Sequence, residues 1–323
     1  MSRRGLGQYS LADALVSRKA RGSAWLEDIE KMIQWPLLDA LLVKIHANAE
    51  GAPGYPPLVM LKILLLQQWH ALSDEAIESA VDDRLSFRRF CGLPLDTAAP
   101  DHSTIWRFRE ILARTGLAEK LFEAVNAQIE ARGHLVKRGT LIDATIIPAA
   151  VKPPRGDTGE LSDRDLEAGW TKKNDVSTYG YKVHAAIDEE SGIVRRAITT
   201  SADLGDALMV PELVLGDEGA VYADKGYDGK AQRAFIESGG AKARIMGKAP
   251  KGKPMPHWQK WLNRCIAAVR SSVERGFATL KGPYGLRRMR YLGLARNSTN
   301  VHLAATAMNL RRMRVLQRQA RCA

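Results

Sequence analysis

The chain is short of cysteine, of long apolar runs and, in its last hundred residues, of acid. Each shortage excludes something. Three cysteines among 323 residues, Cys91, Cys265 and Cys322, are scattered and odd in number. They form neither a disulfide framework nor the paired spacing of a zinc site, so a reducing cytosol is the expected setting. The most apolar stretch, Leu58 to Leu66, contains Lys62 and falls well short of the roughly 18 residues of a membrane span. The basic N-terminus, Met1-Ser2-Arg3-Arg4-Gly5, leads into no apolar signal core, so a cytoplasmic location without membrane partners is expected. No Gly-rich phosphate loop and no nucleophilic Ser or Cys constellation is present.

The shortage of acid is local. From Asp224 to Ala323 there are 22 Lys and Arg against four Asp and Glu, a net +18, whereas the first 223 residues carry −6 and the whole chain +12. A basic third on a mildly acidic remainder points to a polyanion gripped at one end, although charge alone does not name DNA.

Residues 1–137 read as helical. Leu37, Leu38, Leu41, Leu42 and Ile45 recur at helical spacing, and Gly51 to Pro57 forms a turn before a helix over Leu58 to Leu72. Ser73 caps a further helix, and Asp101 or Ser103 another that carries Arg107 and Arg109. Short helices with tight turns fit a helix-turn-helix DNA reader, with Arg107 and Arg109 as DNA contacts; they fit a packing or dimerisation domain equally well.

From residue 138 the period changes to two. Thr140 to Ile147 is a strand, Pro148 to Lys173 a long loop, and Tyr179 to Asp188 and Ile193 to Thr200 a hairpin. A helix (Ala207 to Leu215), a strand ending at Asp224, a helix, a short strand (Ala243 to Met246), a basic loop (Gly247 to Pro256) and helices over Trp258 to Leu280 and Val301 to Arg318 complete the chain. Residues 138–323 therefore read as a mixed α/β sheet with flanking helices in ribonuclease-H-like order. That order lays the Asp143 strand beside the Asp224 strand. A basic tail of helices follows.

Three carboxylates stand where burial is hard to justify. Asp143 interrupts the apolar run Leu141 to Ile147, and Asp224 ends Ala220-Val221-Tyr222-Ala223. Glu274 shares one helix face with Arg270 and Lys281, beside the stripe Leu262, Ile266, Val269, Val273, Phe277 and Leu280. An unpaired carboxylate in an apolar strand costs several kcal/mol and calls for a cation. By itself Glu274 reads as an i, i+4 partner of Arg270. Together the three carboxylates form the oxygen ligand set of a two-metal phosphoryl-transfer site, with Arg270 and Lys281 beside the phosphates. Lys182 is a further phosphate candidate and Asp206 an alternative metal contact, although a helix cap suits Asp206 better. His102 and His184 are candidate ligands or bases but read better as capping or core residues; the tryptophans, Trp258 and Trp261 among them, are candidates for stacking on flipped bases, but these two, three apart on a helix, read better as core.

Several blocks carry a resemblance. Pro100-Asp101-His102-Ser103-Thr104 with Phe108-Arg109, Asp143-Ala144-Thr145, Tyr179-Gly180-Tyr181-Lys182-Val183-His184 and Tyr222-Ala223-Asp224-Lys225-Gly226-Tyr227 stand in the first part. Asn263-Arg264, Arg270 with Glu274 and Lys281, Arg290 to Asn297 and Met308-Asn309-Leu310 follow. Over nearly its whole length the chain resembles the insertion-sequence-five group of bacterial DDE transposases. Where that group carries a tyrosine three residues before the arginine, this chain has Ala267.

The resemblance implies Asp143, Asp224 and Glu274 as the catalytic, metal-binding triad and Arg270 and Lys281 as its basic partners. It also implies two Mg²⁺ ions, for which Mn²⁺ can substitute. The expected reaction is cleavage at the element's ends, followed by attack of the freed 3′-hydroxyl on target DNA. Double-stranded DNA, both terminal inverted repeats and target, is the expected partner, bound by a homodimer or larger assembly in the bacterial nucleoid. A nuclease of the same fold without strand transfer, and a non-catalytic DNA-binding regulator or relic, are the alternatives.

Overall fold

The structure, a computed structural model, describes residues 23–45, 54–152, 165–173, 175–249, 252 and 254–322. The basic N-terminus, residues 51–53 of the expected turn, 153–164 of the expected long loop and Pro250, Lys251 and Lys253 of the basic loop lie outside them. The chain divides into two compact units, Met1–Arg132 with His302–Ala323, and Gly133–Val301.

The first unit is helical: α1 (Ala24–Met32), α2 (Trp35–Leu41), α3 (Pro57–His70), α4 (Asp74–Asp83), α5 (Leu85–Cys91), α6 (His102–Thr115) and α7 (Leu117–Ala131). Proline stands in the first turns of α2 and α3, where its missing N–H costs nothing. The expected caps form, with Ser73 Oγ accepting from Ala76 N at 3.1 Å and Asp101 Oδ1 from Thr104 N at 2.6 Å. α3 is buried on nearly every side, and even Lys62 lies inside, 2.8 Å from Glu30 and over the Trp35 ring. The last helix, α11 (Leu294–Cys322), starts earlier than the apolar spacing predicts. From His302 it belongs to this unit, where Trp69 Nε1 donates to Ala307 O and Asn309 Nδ2 to Asn126 Oδ1, each at 2.8 Å.

The second unit carries one mixed sheet: β1 (Thr140–Pro148), β2 (Gly169–Lys173), β3 (Val176–Asp188), β4 (Val194–Ser201), β5 (Ala220–Ala223) and β6 (Lys242–Ile245). β3 pairs antiparallel with β1 on one side; on the other it pairs with β2 along 176–180 and β4 along 181–187. β5 runs parallel to β1, and β6 parallel to β5. The core order β4-β3-β1-β5-β6, three antiparallel strands followed by two parallel ones, is ribonuclease-H-like. β2 was not expected; it occupies the end of the stretch read as loop. The expected helix over Ala207 to Leu215 is shorter, a 3₁₀ turn (Asp206–Met209) followed by α8 (Val210–Leu213), because Pro211 fits only a helix's first turn.

Helices α9 (Lys230–Ser238) and α10 (His257–Lys281) complete the unit. On one sheet face Ile142, Ala186, Val221 and Ala223 pack with Met209, Leu213 and Tyr227. On the other, α10 crosses β1 and β5. Gly276 permits the approach: a Cβ there would stand 2.7 Å from Ile187 Cδ1.

Candidate active site

β1 alternates, so Ile142 enters the apolar cluster and Asp143 faces α10. The parallel register pairs Leu141 with Tyr222, so Asp143 and Asp224 each stand two residues past the same rung. Asp224 leaves β5 as the cap of a short turn, its Oδ1 accepting from Gly226 N at 2.7 Å. The two carboxylates, far apart in sequence, are thereby neighbours.

Asp143 is held twice. Arg270 Nη2 donates to its Oδ2 at 2.8 Å and Ala144 N to its Oδ1 at 2.8 Å. Burial is the largest influence and raises its pKa; Arg270 and the backbone bond oppose it, and the neighbouring Asp224 adds to the rise. Lys281, on the same helix face as Arg270, donates from Nζ to Ile146 O at 3.0 Å; burial first and Lys173 second lower its pKa. Arg270 therefore pairs with the strand carboxylate, and Glu274, one helical turn on, stays exposed. Among the described residues no group of three or more His, Cys, Asp and Glu is arranged to hold a metal ion.

Two strand carboxylates side by side, one mostly buried and drawing a guanidinium onto itself, have the hard oxygen chemistry that divalent ions take. An open cleft of about 690 Å³ begins at Asp224 and runs past Lys225, Met246, Lys248, Met255 and Asn263. Asn263 shapes it, its side chain receiving Gly247 N at 2.9 Å and donating to Gly247 O at 3.0 Å.

The other candidates separate. Arg107 is exposed, but Arg109 points inward, only 2% exposed, bound to Asp74 at 2.5 Å and to Gln67 at 3.0 Å. Its place as a DNA contact is corrected: it ties α6 to α3 and α4. Lys182 is buried as well, 2.9 Å from Asp206 and donating to Leu204 O at 2.6 Å, so its charge is already matched. Asp206 caps nothing; Gly205 holds the cap position and Asp206 pairs with Lys182. His184 is buried, 3.0 Å from Thr200 Oγ1, and burial lowers its pKa to about 4. His102 is exposed and paired with Glu78 at 2.9 Å. Trp258 and Trp261, read as core, are each 66% exposed.

Two residues went unnoticed in the sequence. Tyr227 is fully buried beside Asp224, its hydroxyl without a hydrogen-bond partner among the described residues, and its pKa is raised by burial and by Asp206, Asp143 and Asp224. Only its place in the Asp224 block pointed to it. Asp165, inside the stretch read as loop, accepts from Tyr181 Oη at 2.5 Å and Gly293 N at 3.0 Å, while its carbonyl accepts from Tyr179 Oη at 2.6 Å. Tyrosines two apart on one strand face were the available signal.

Residues 13–110 match the family model described as Transposase domain (DUF772). A cryo-EM structure of the piggyBac transposase synaptic complex with hairpin DNA is similar over 91% of this chain and 74% of its own, at 10% identity and a TM-score of 0.43. Residues 134–310, more than half of the chain, match the model described as Transposase DDE domain, and the chain accordingly belongs to the DDE transposases, enzymes that cleave DNA and join its strands.

Proposed function

We propose that Asp143, Asp224 and Glu274 are the acidic triad of this transposase, and that the chain is an insertion-sequence-five type enzyme acting on an element's terminal repeats. The observation that carries this reading is the pairing of β1 with β5, which sets Asp143 beside Asp224 under a helix that bears Glu274. The three carboxylates would hold divalent ions, Mg²⁺ in the first place. When bound, such ions lower the pKa of the attacking water or hydroxyl and stabilise the leaving oxygen.

The chain's own residues do the rest. Arg270 neutralises and orients the Asp143 carboxylate. Lys281 fixes α10 on β1 through Ile146 O. Lys225 and Lys248, at the cleft, meet the strand's phosphates. Arg107 reaches flanking DNA. Two element ends have to be joined in one reaction, so the working form is a homodimer or larger on double-stranded DNA in the cytoplasm.

The test incubates the purified chain with the DNA flanking its reading frame and Mg²⁺ or Mn²⁺. Discrete 3′-hydroxyl ends and strand-transfer products are expected. Asp143→Asn, Asp224→Asn and Glu274→Gln should each lose at least about 10²-fold in cleavage while retaining DNA binding. Full cleavage by a variant removes that residue from the triad. Cutting without joining identifies a nuclease, and binding without cutting a regulator.

A further inference from the structure

The first turns of α10 present an aromatic and basic face to solvent. Trp258 and Trp261 are exposed, as are His257, Lys260 and Arg264. At 100° per residue these five side chains and Cys265 fall within an arc of about 160°. Arg270, Lys281 and Asn263, which bind the sheet and the Gly247 backbone, cluster within about 20° on another part of the helix. The indoles are therefore set apart from both the core stripe and the carboxylates.

Each indole offers roughly 150–250 Å² of surface that burial would stabilise. The chemistry around them chooses the occupant. Between Ser238 and Val273 the sequence holds eight Lys and Arg and no Asp or Glu. Protein interface cores are depleted in lysine and in charge generally. A polyanion that also offers flat aromatic faces fits both properties. In a duplex those faces are stacked inside; in an unpaired strand they are free.

We propose that this face binds single-stranded DNA, with Trp258 and Trp261 stacking on bases and Lys260 and Arg264 meeting phosphates. It receives the strand that opens beside the one being cut, and so rests on the DNA-cleaving reading of the site.

The test uses the full chain and a fluorescein-labelled oligothymidylate of about 16 nucleotides, read by anisotropy. Base stacking at aromatic side chains is strong enough that the Trp258→Ala/Trp261→Ala variant should bind at least about tenfold more weakly. Trp258→Phe/Trp261→Phe should recover most of the loss, and affinity for a blunt duplex of equal length should change less than about threefold. Unchanged oligonucleotide binding, or an equal loss on duplex, overturns the proposal. So does a fall in assembly mass by light scattering with DNA binding intact, which would assign the face to a second copy of the chain. Asp143→Asn keeps the two readings apart: it should lose cleavage yet bind the oligonucleotide as the parent does.

Discussion

Arg270 and Asp143, 127 residues apart, form an ion pair of 2.8 Å between α10 and β1, with side chains only 15% and 20% exposed. Removing one partner leaves the other charge poorly solvated. Arg270→Gln is expected to destabilise the protein by about 2 kcal/mol and to lower cleavage as well. A double-mutant cycle with Asp143→Asn, followed by denaturant unfolding, should return a coupling of about 1–3 kcal/mol. A coupling near zero would show that the pair does not hold the helix.

Arg109 and Arg107 should behave as opposites although they are two residues apart. Arg109→Ala leaves Asp74 and Gln67 without their guanidinium and is expected to cost about 3 kcal/mol of stability. Arg107→Ala should leave stability within about 0.5 kcal/mol and weaken DNA binding, with the slope against salt falling by about one. Thermal unfolding and a salt titration of affinity check both.

His184 gives stability a pH dependence of known sign. Its pKa in the fold is about 4, against 6.5 ordinarily, mainly because it is buried, with Lys182 adding to the fall and Asp206 opposing it. Between those values the unfolded chain takes up a proton that the folded chain refuses. The contribution is complete above pH 6.5 and is lost as pH falls toward 4, where the loss reaches about 3 kcal/mol. Denaturation midpoints from pH 7 to 4 should show this decline, and His184→Gln should flatten it.

Thiol chemistry separates two cysteines. Cys265 is exposed, whereas Cys91 is buried and its thiol is pushed far up by burial. In a Cys322→Ser background, a maleimide at pH 7.5 should label one thiol quickly and the second only after unfolding. Mass spectrometry of the labelled peptide should find Cys265.

The sheet was largely legible in the sequence because its signals are local. The apolar run from Leu141 to Ile147 marked β1, the short gap between Asp188 and Ile193 marked the β3–β4 hairpin, and the strand order then placed Asp143 by Asp224. What failed depended on the third dimension. Arg109 lies about 200° from Arg107 on α6, on the side of Ile105, Phe108 and Leu112, but the partners that fix it there, Asp74 and Gln67, arrive from other helices. Trp258 and Trp261 have the spacing of a core stripe, but Ile266, Val273 and Phe277 set the buried side and leave the indoles outside it. Glu274 reads as a partner of Arg270, and the fold spends that arginine on Asp143 instead. No stretch of sequence said which unit the last helix packs in from His302 onward.

Ile142 and Asp143 are consecutive and face opposite sides of β1, one toward the apolar cluster and one toward Arg270. A slip of one residue along β3 would exchange them, putting a carboxylate among Val221, Ala223 and Tyr227 and an isoleucine beneath the guanidinium. Oil and charge thus proofread the same alignment from two sides. An insertion or deletion in the short lead-in to Thr140 cannot move the acid without also upending the core, so the position of the chemistry is inherited from the packing.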